Sequence, residues 1–170
     1  MSLLTGFNNL LAQFLDELVK TFPELTDLRT IQTIAAMMRS YNPRMILENF
    51  LSVAGRYHEK IFIEDSTFFE NLENWKDDPY FRQEYATSEA DEADMFARLV
   101  VFRHVWADLT SANKEHIWTY LKQLLIIGAK ASKTHTELCK QIINTAQQQQ
   151  LLQQQQLLQQ RNTIELNKFD

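Results

Sequence analysis

The residues best placed to do chemistry are His135 and Cys139, four apart in a stretch with helical periodicity. An i, i+4 pair shares one helix face, a spacing that suits two ligands of a soft metal or a histidine that activates a thiolate. Two ligands do not close a metal site, and no second His or Cys cluster lies nearby. The expectation for Cys139 is therefore a small buried side chain, and for His135 a surface one. His104 and His116 stand on separate predicted helices and are expected at the edge of the core. The chain has no Gly-rich phosphate loop, no HExxH, no CxxC and no ExxH pair of the di-iron kind. No catalytic residue, cofactor or metal is expected, and the chain is read as a non-enzyme.

Nucleic acid is a second possibility, raised by Arg98, Arg103, Lys114, Lys122, Lys130 and Lys133 near Trp106, Trp118 and Tyr120. Aromatic rings among cations can stack single strands. Against this, Trp106 falls on the apolar face of its own helix and the pI is near 5.4, so direct nucleic-acid binding is not expected. Charge is nevertheless polarised along the chain. Residues 1–63 are neutral, 64–94 carry −9, 95–146 carry +4 and 147–170 are neutral, within an overall −5. The acidic segment, with Glu89, Asp91, Glu92 and Asp94, is either a solvated face at a helix N-terminus or a surface for a basic partner.

The elements that must position these residues are helical. The 170 residues include 45% hydrophobic and 11% aromatic side chains but only three Gly and three Pro, enough for one packed core and too little turn material for many strands. Phe7, Leu10, Leu11, Phe14, Leu15 and Leu18 form one helical stripe, and Leu28, Ile31, Ile34, Ala35 and Met38 form a second. Asn42-Pro43 starts a third helix burying Met45, Ile46, Phe50, Val53 and Ala54. Thr67-Phe68-Phe69-Glu70, Ser88-Glu89-Ala90-Asp91 and Thr134-His135-Thr136-Glu137 read as capping boxes. Ser111 is a further cap, ahead of Ile117, Leu121, Leu124, Leu125 and Gly128. Only Lys60-Ile61-Phe62-Ile63 has strand character.

From Thr134 onward no Pro or Gly interrupts the chain, so its last helix can run through QQQQLLQQQQLLQQ, Gln147 to Gln160. Gln propagates an established helix well, whereas a Gln-rich tract alone buries too little to be ordered. Leu151 and Leu158 nearly eclipse and Leu152 stands apart, so the apolar stripe is narrow and broken. The expected architecture is an all-α, bundle-like domain of about six helices over residues 1–133, with a C-terminal helix and Gln-rich tail over 134–170. The single Cys139 excludes an internal disulfide, and no secretory leader pattern opens the chain. Its longest apolar run, Leu124 to Ala129, is short of the roughly 20 residues of a membrane span. A reducing intracellular setting is therefore expected.

Phe7-Asn8-Asn9-Leu10-Leu11 with Phe14 and Leu15, Thr21-Phe22-Pro23-Glu24, Asn42-Pro43-Arg44 with Phe50, and Asp65 ahead of Phe68-Phe69 together resemble small helical proteins of large eukaryotic double-stranded DNA viruses, of the chlorella-virus or iridovirus type. The resemblance spans roughly residues 7–127. It implies a viral helical protein, carried in the virion as a minor structural component or found in the host-cell cytoplasm, and supplies no catalytic residues. The expected function is a structural or assembly protein that contacts other viral structural proteins, or copies of itself as a homo-oligomer, through Leu151, Leu152, Leu157 and Leu158 and through its polarised faces. The alternative is an intracellular regulatory adaptor that takes a basic partner on segment 64–94.

Overall fold

The computed structural model describes residues 1–70 and 105–169, and among these every regular element is a helix. Helix α1 (Leu3–Thr21) is capped by Ser2, whose Oγ accepts the Thr5 N–H at 3.1 Å, and it buries Phe7, Phe14, Leu15 and Leu18. Such a cap satisfies one of the orphan N–H groups that every helix start leaves. Pro23 follows, and α2 (Thr26–Tyr41) returns along α1 with Leu28, Ile31, Ala35 and Met38 turned inward. Asn42 then ends one helix and starts the next. Its Oδ1 accepts the Arg44 N–H at 3.2 Å while Pro43 takes the first position of α3 (Pro43–Val53). Asn8 on α1 donates to the Pro43 carbonyl at 3.0 Å, which ties the start of α3 to the first helix.

Helix α3 buries Ile46, Leu47, Leu51, Ser52 and Val53, whereas Met45 and Phe50 are only half-buried. Ile46, Val53 and Ala54 are buried as expected and Met45 and Phe50 pack against the core, but the expected stripe omitted Leu47 and Leu51, which are both fully enclosed. A 3₁₀ turn (Ala54–Tyr57) continues into the short α4 (His58–Phe62). The expected strand at Lys60–Ile63 is not one: Lys60–Phe62 is helical and Ile63 sits in the following turn. Adjacent Ile61 and Phe62 are both buried, a helix-like pattern, and a lone β-branched run with no partner strand yields to its surroundings. His58 donates from Nδ1 to the Gly55 carbonyl at 2.6 Å and pins the 3₁₀ turn.

Glu64 adopts a left-handed backbone, φ 57°, which is costly for a residue with a Cβ, and its carboxylate is held by Lys122 at 3.0 Å. Helix α5 (Thr67–Glu70) opens with Asp65 accepting both the N–H and the hydroxyl of Thr67, at 3.0 and 2.7 Å. The cap is therefore Asp65, not the expected Thr67 box. The Ser88 box, the acidic residues Glu89, Asp91, Glu92 and Asp94, and His104 lie outside the described residues.

Past Trp106, α6 (Ser111–Ala131) is capped by Thr110, one residue before the expected Ser111. It is the central post, touching α1, α3, α4 and the last helix, α7 (Thr136–Asn167). The packing is close at Gly128, where a Cβ would stand in ordinary contact, 3.4 Å from Leu51 Cδ2 and from Phe7. Phe69, Trp106 and Trp118 form a ring cluster, Phe69 stacked on Trp106 at 4.1 Å. No described helix is long and apolar enough to cross a membrane.

Because Leu124 on α6 is fully enclosed, Leu124→Ala is expected to cost about 2–5 kcal/mol of unfolding free energy in a urea titration.

Candidate interaction surface on the C-terminal helix

Helix α7 has two halves with opposite environments. In its first three turns Cys139 and Ile142 are buried, and Leu138, Ile143 and Ala146 pack against the core. Gly55 makes room for this root. A Cβ at Gly55 would lie 3.2 Å from Leu138 Cδ2 and 3.4 Å from Ile142 Cδ1, so the 3₁₀ turn meets α7 almost backbone to side chain.

A polar clamp fixes the angle at which α7 leaves α6. Glu48 on α3 accepts from the Ser132 hydroxyl at 2.7 Å, the Thr134 hydroxyl at 2.6 Å and the Lys133 N–H at 3.3 Å. Ser132 Oγ in turn accepts the N–H groups of Thr134 and His135. His135 precedes α7 without a side-chain cap, so the expected Thr134 capping box is replaced by Ser132 and a carboxylate from another helix. A negative group at a helix start also opposes the positive end of its dipole. Burial opposes charge on Glu48, but the three hydrogen bonds and nearby His135 outweigh it, and the carboxyl is held below its ordinary range.

This cluster includes the two residues first suspected of chemistry. Cys139 is buried, and its thiol is pushed up chiefly by burial, the reverse of an activated thiolate. His135 Nε2 lies 3.2 Å from Ser52 Oγ and 3.8 Å from Glu48. Both partners meet the same ring nitrogen, whereas a relay needs a hydroxyl on one nitrogen and a carboxylate on the other. Among the described residues no group of three His, Cys, Asp or Glu could hold a metal ion. His116 is exposed, beyond its expected place at the core edge. It borders an open cleft of about 300 Å³ between α1 and α6, with Glu17, Phe22 and Tyr120. Tyr120 is stacked on Phe14 at 4.8 Å and its hydroxyl is pushed up to about 12, mainly by burial and then by Glu17, so it is no base near neutrality. Trp106 and Trp118 are buried and offer no face for stacking bases.

From Gln150 to Phe169 every residue of α7 and its cap is exposed. Leu151, Leu152, Leu157 and Leu158 are all placed on this free half, 50–65% exposed each. The structure brings them onto one rod but not onto one stripe. At about 100° per residue, Leu151 and Leu158 lie on the side away from the core, Leu157 continues the line of the root, and Leu152 stands between. Sequence reasoning missed three further apolar residues here. Ile164, Leu166 and Phe169 are exposed at 59%, 71% and 89%, and Ile164 repeats Leu157 at seven residues. The i, i+7 rule, extended past the glutamines, would have found it.

No family model, curated protein or solved structure matches this chain.

Two outcomes follow from the root and clamp. Gly55→Ala should change the urea-unfolding free energy by no more than about 1 kcal/mol, because Leu138 must give by a few tenths of an ångström while alanine lowers the entropy of the unfolded chain. Glu48 has a folded pKa below its unfolded one, so its contribution is present above the ordinary carboxylate range and is lost as pH falls through the folded value. Glu48→Gln should accordingly unfold about 1–2 kcal/mol more easily at pH 7. The difference from the native chain should shrink steadily as pH is lowered below 4 in the same titration.

Proposed function

We propose that this chain is a non-enzymatic assembly protein: a helical domain that holds out the free half of α7 as a docking rod for neighbouring proteins. The observation that carries this is a protruding helix whose apolar side chains are half or more exposed while its root is fully packed. Six large apolar residues on one unsupported helix, with Phe169 just past its end, are expensive to leave in water, and burial of each is worth about 1.5–3 kcal/mol. Grouped exposure of this kind marks an interaction site. The resemblance of residues 7–127 to viral helical proteins supports particle assembly as the setting, with virion structural proteins as the neighbours.

Replacing Leu151, Leu152, Leu157 and Leu158 together by Ala tests this. Ala keeps helix propensity and the side chains touch nothing in the domain, so unfolding free energy should stay within about 0.5 kcal/mol of the native value. Co-purification with the native assembly should be lost, and native association should persist in high salt because apolar contact is not screened. Undiminished association of the substituted chain contradicts the proposal. Release of the native chain near physiological salt supports instead an adaptor acting through the acidic segment 64–94.

A further inference from the structure

The glutamine-leucine run has a symmetry that its helical form makes consequential. Read from the point between Gln154 and Gln155, the residues from Gln149 to Gln160 are the same in both directions. A helix with such a run can meet its own copy antiparallel about a two-fold axis, each residue type facing its like. This is the self-complementarity an isologous contact demands.

We infer that the partner of α7 is a second copy of this chain, paired antiparallel about an axis through Gln154–Gln155. This inference rests on the docking role proposed for α7 and names its occupant. In this register Leu151 of one copy lies opposite Leu158 of the other, twice over, and the central glutamines, each both donor and acceptor, face glutamines.

Three observations support the register. The seam runs about 140–180° around the helix from Ile142, on the side away from the domain. Along it Glu137, Lys140, Asn144, Leu151, Leu158 and Glu165 are all exposed, so a second helix can lie on the root as well as on the free half. The helical overlap from Ile142 to Asn167 is about 39 Å at 1.5 Å per residue.

Charge complementarity is the second. Lys140 at the root comes level with Phe169 of the second copy and within about one turn of its Glu165. The two-fold axis repeats this Lys140–Glu165 pair at both ends, and residues 147–170 carry no net charge to repel a copy. A parallel register sets Lys140, Arg161 and Glu165 each beside its own like. The third observation is the dipole: antiparallel helices place opposite ends together.

The test uses the full chain with Cys139→Ser, which removes the native thiol, and two single-cysteine variants, Gln147→Cys and Asn162→Cys. These positions face each other across the proposed axis. Under oxidised glutathione, a mixture of the two variants should form the disulfide-linked heterodimer at least about ten times faster than either variant links to itself. Faster self-linking of Gln147→Cys signals a parallel pair and overturns the register. Absence of linkage in the mixture and in either variant alone overturns self-pairing. Sedimentation of the native chain should show a concentration-dependent dimer, with Leu151→Gln plus Leu158→Gln raising the dissociation constant about ten-fold or more; an unchanged constant overturns the leucine seam. A chain that stays monomeric while its leucines still hold it in the native assembly overturns the second-copy assignment alone. A chain that does neither overturns the docking role as well.

Discussion

The seating of the first three turns of α7 is the constraint on which the exposed half of the molecule depends. Helix nucleation fixes several backbone torsions for one hydrogen bond, and a glutamine-rich segment standing free has little to offset that. Here Leu138, Cys139, Ile142 and Ala146 are held by the core and Glu48 gathers the turn before them. The costly step is complete before the first glutamine, and each further residue adds a hydrogen bond for the torsions it fixes. The glutamines extend a helix they could not start.

Everything upstream serves that seat. Helix α6 is the common wall, with Leu51 of α3 and Phe7 of α1 packed at Gly128. The 3₁₀ turn between α3 and α4 brings Gly55 under Leu138 and Ile142, and His58 pins that turn through its carbonyl. Several groups with chemical potential serve the architecture among the described residues: Cys139 as packing, Glu48 and His135 as the clamp, Trp106 and Trp118 as a ring cluster. The exposed apolar surface of α7 is a feature that the domain's own stability does not explain.

Much of this was legible in the residues. The stripes of α1 and α2, the Asn42-Pro43 start of α3 and the run of α7 through the glutamines follow from periodicity and capping chemistry, which act within a few residues. What was illegible depended on distant partners. Lys60–Ile63 has β-branched and aromatic character, yet burial of both Ile61 and Phe62 makes it helical. The start of α7 is held by Glu48, whose partner Thr134 is 86 residues away in sequence, so no local box could reveal it. The omission of Leu47 and Leu51 from the α3 stripe has the same origin, since the helix is enclosed on more than one side by elements distant in sequence. On the candidate surface, the four leucines stood out as the apolar residues of the glutamine run, although their spacing gave only a broken stripe. Ile164, Leu166 and Phe169 were passed over because they lie beyond that run, among polar residues.

The central claim is that the free half of α7 exists to lose water against another helix. Amide hydrogen exchange across Gln150–Asn167, measured on the purified chain from dilute to concentrated solution and again in its native assembly, tests this most directly. The account predicts slow exchange that strengthens with concentration and is greatest in the assembly. Exchange that remains fast and concentration-independent in both would contradict it.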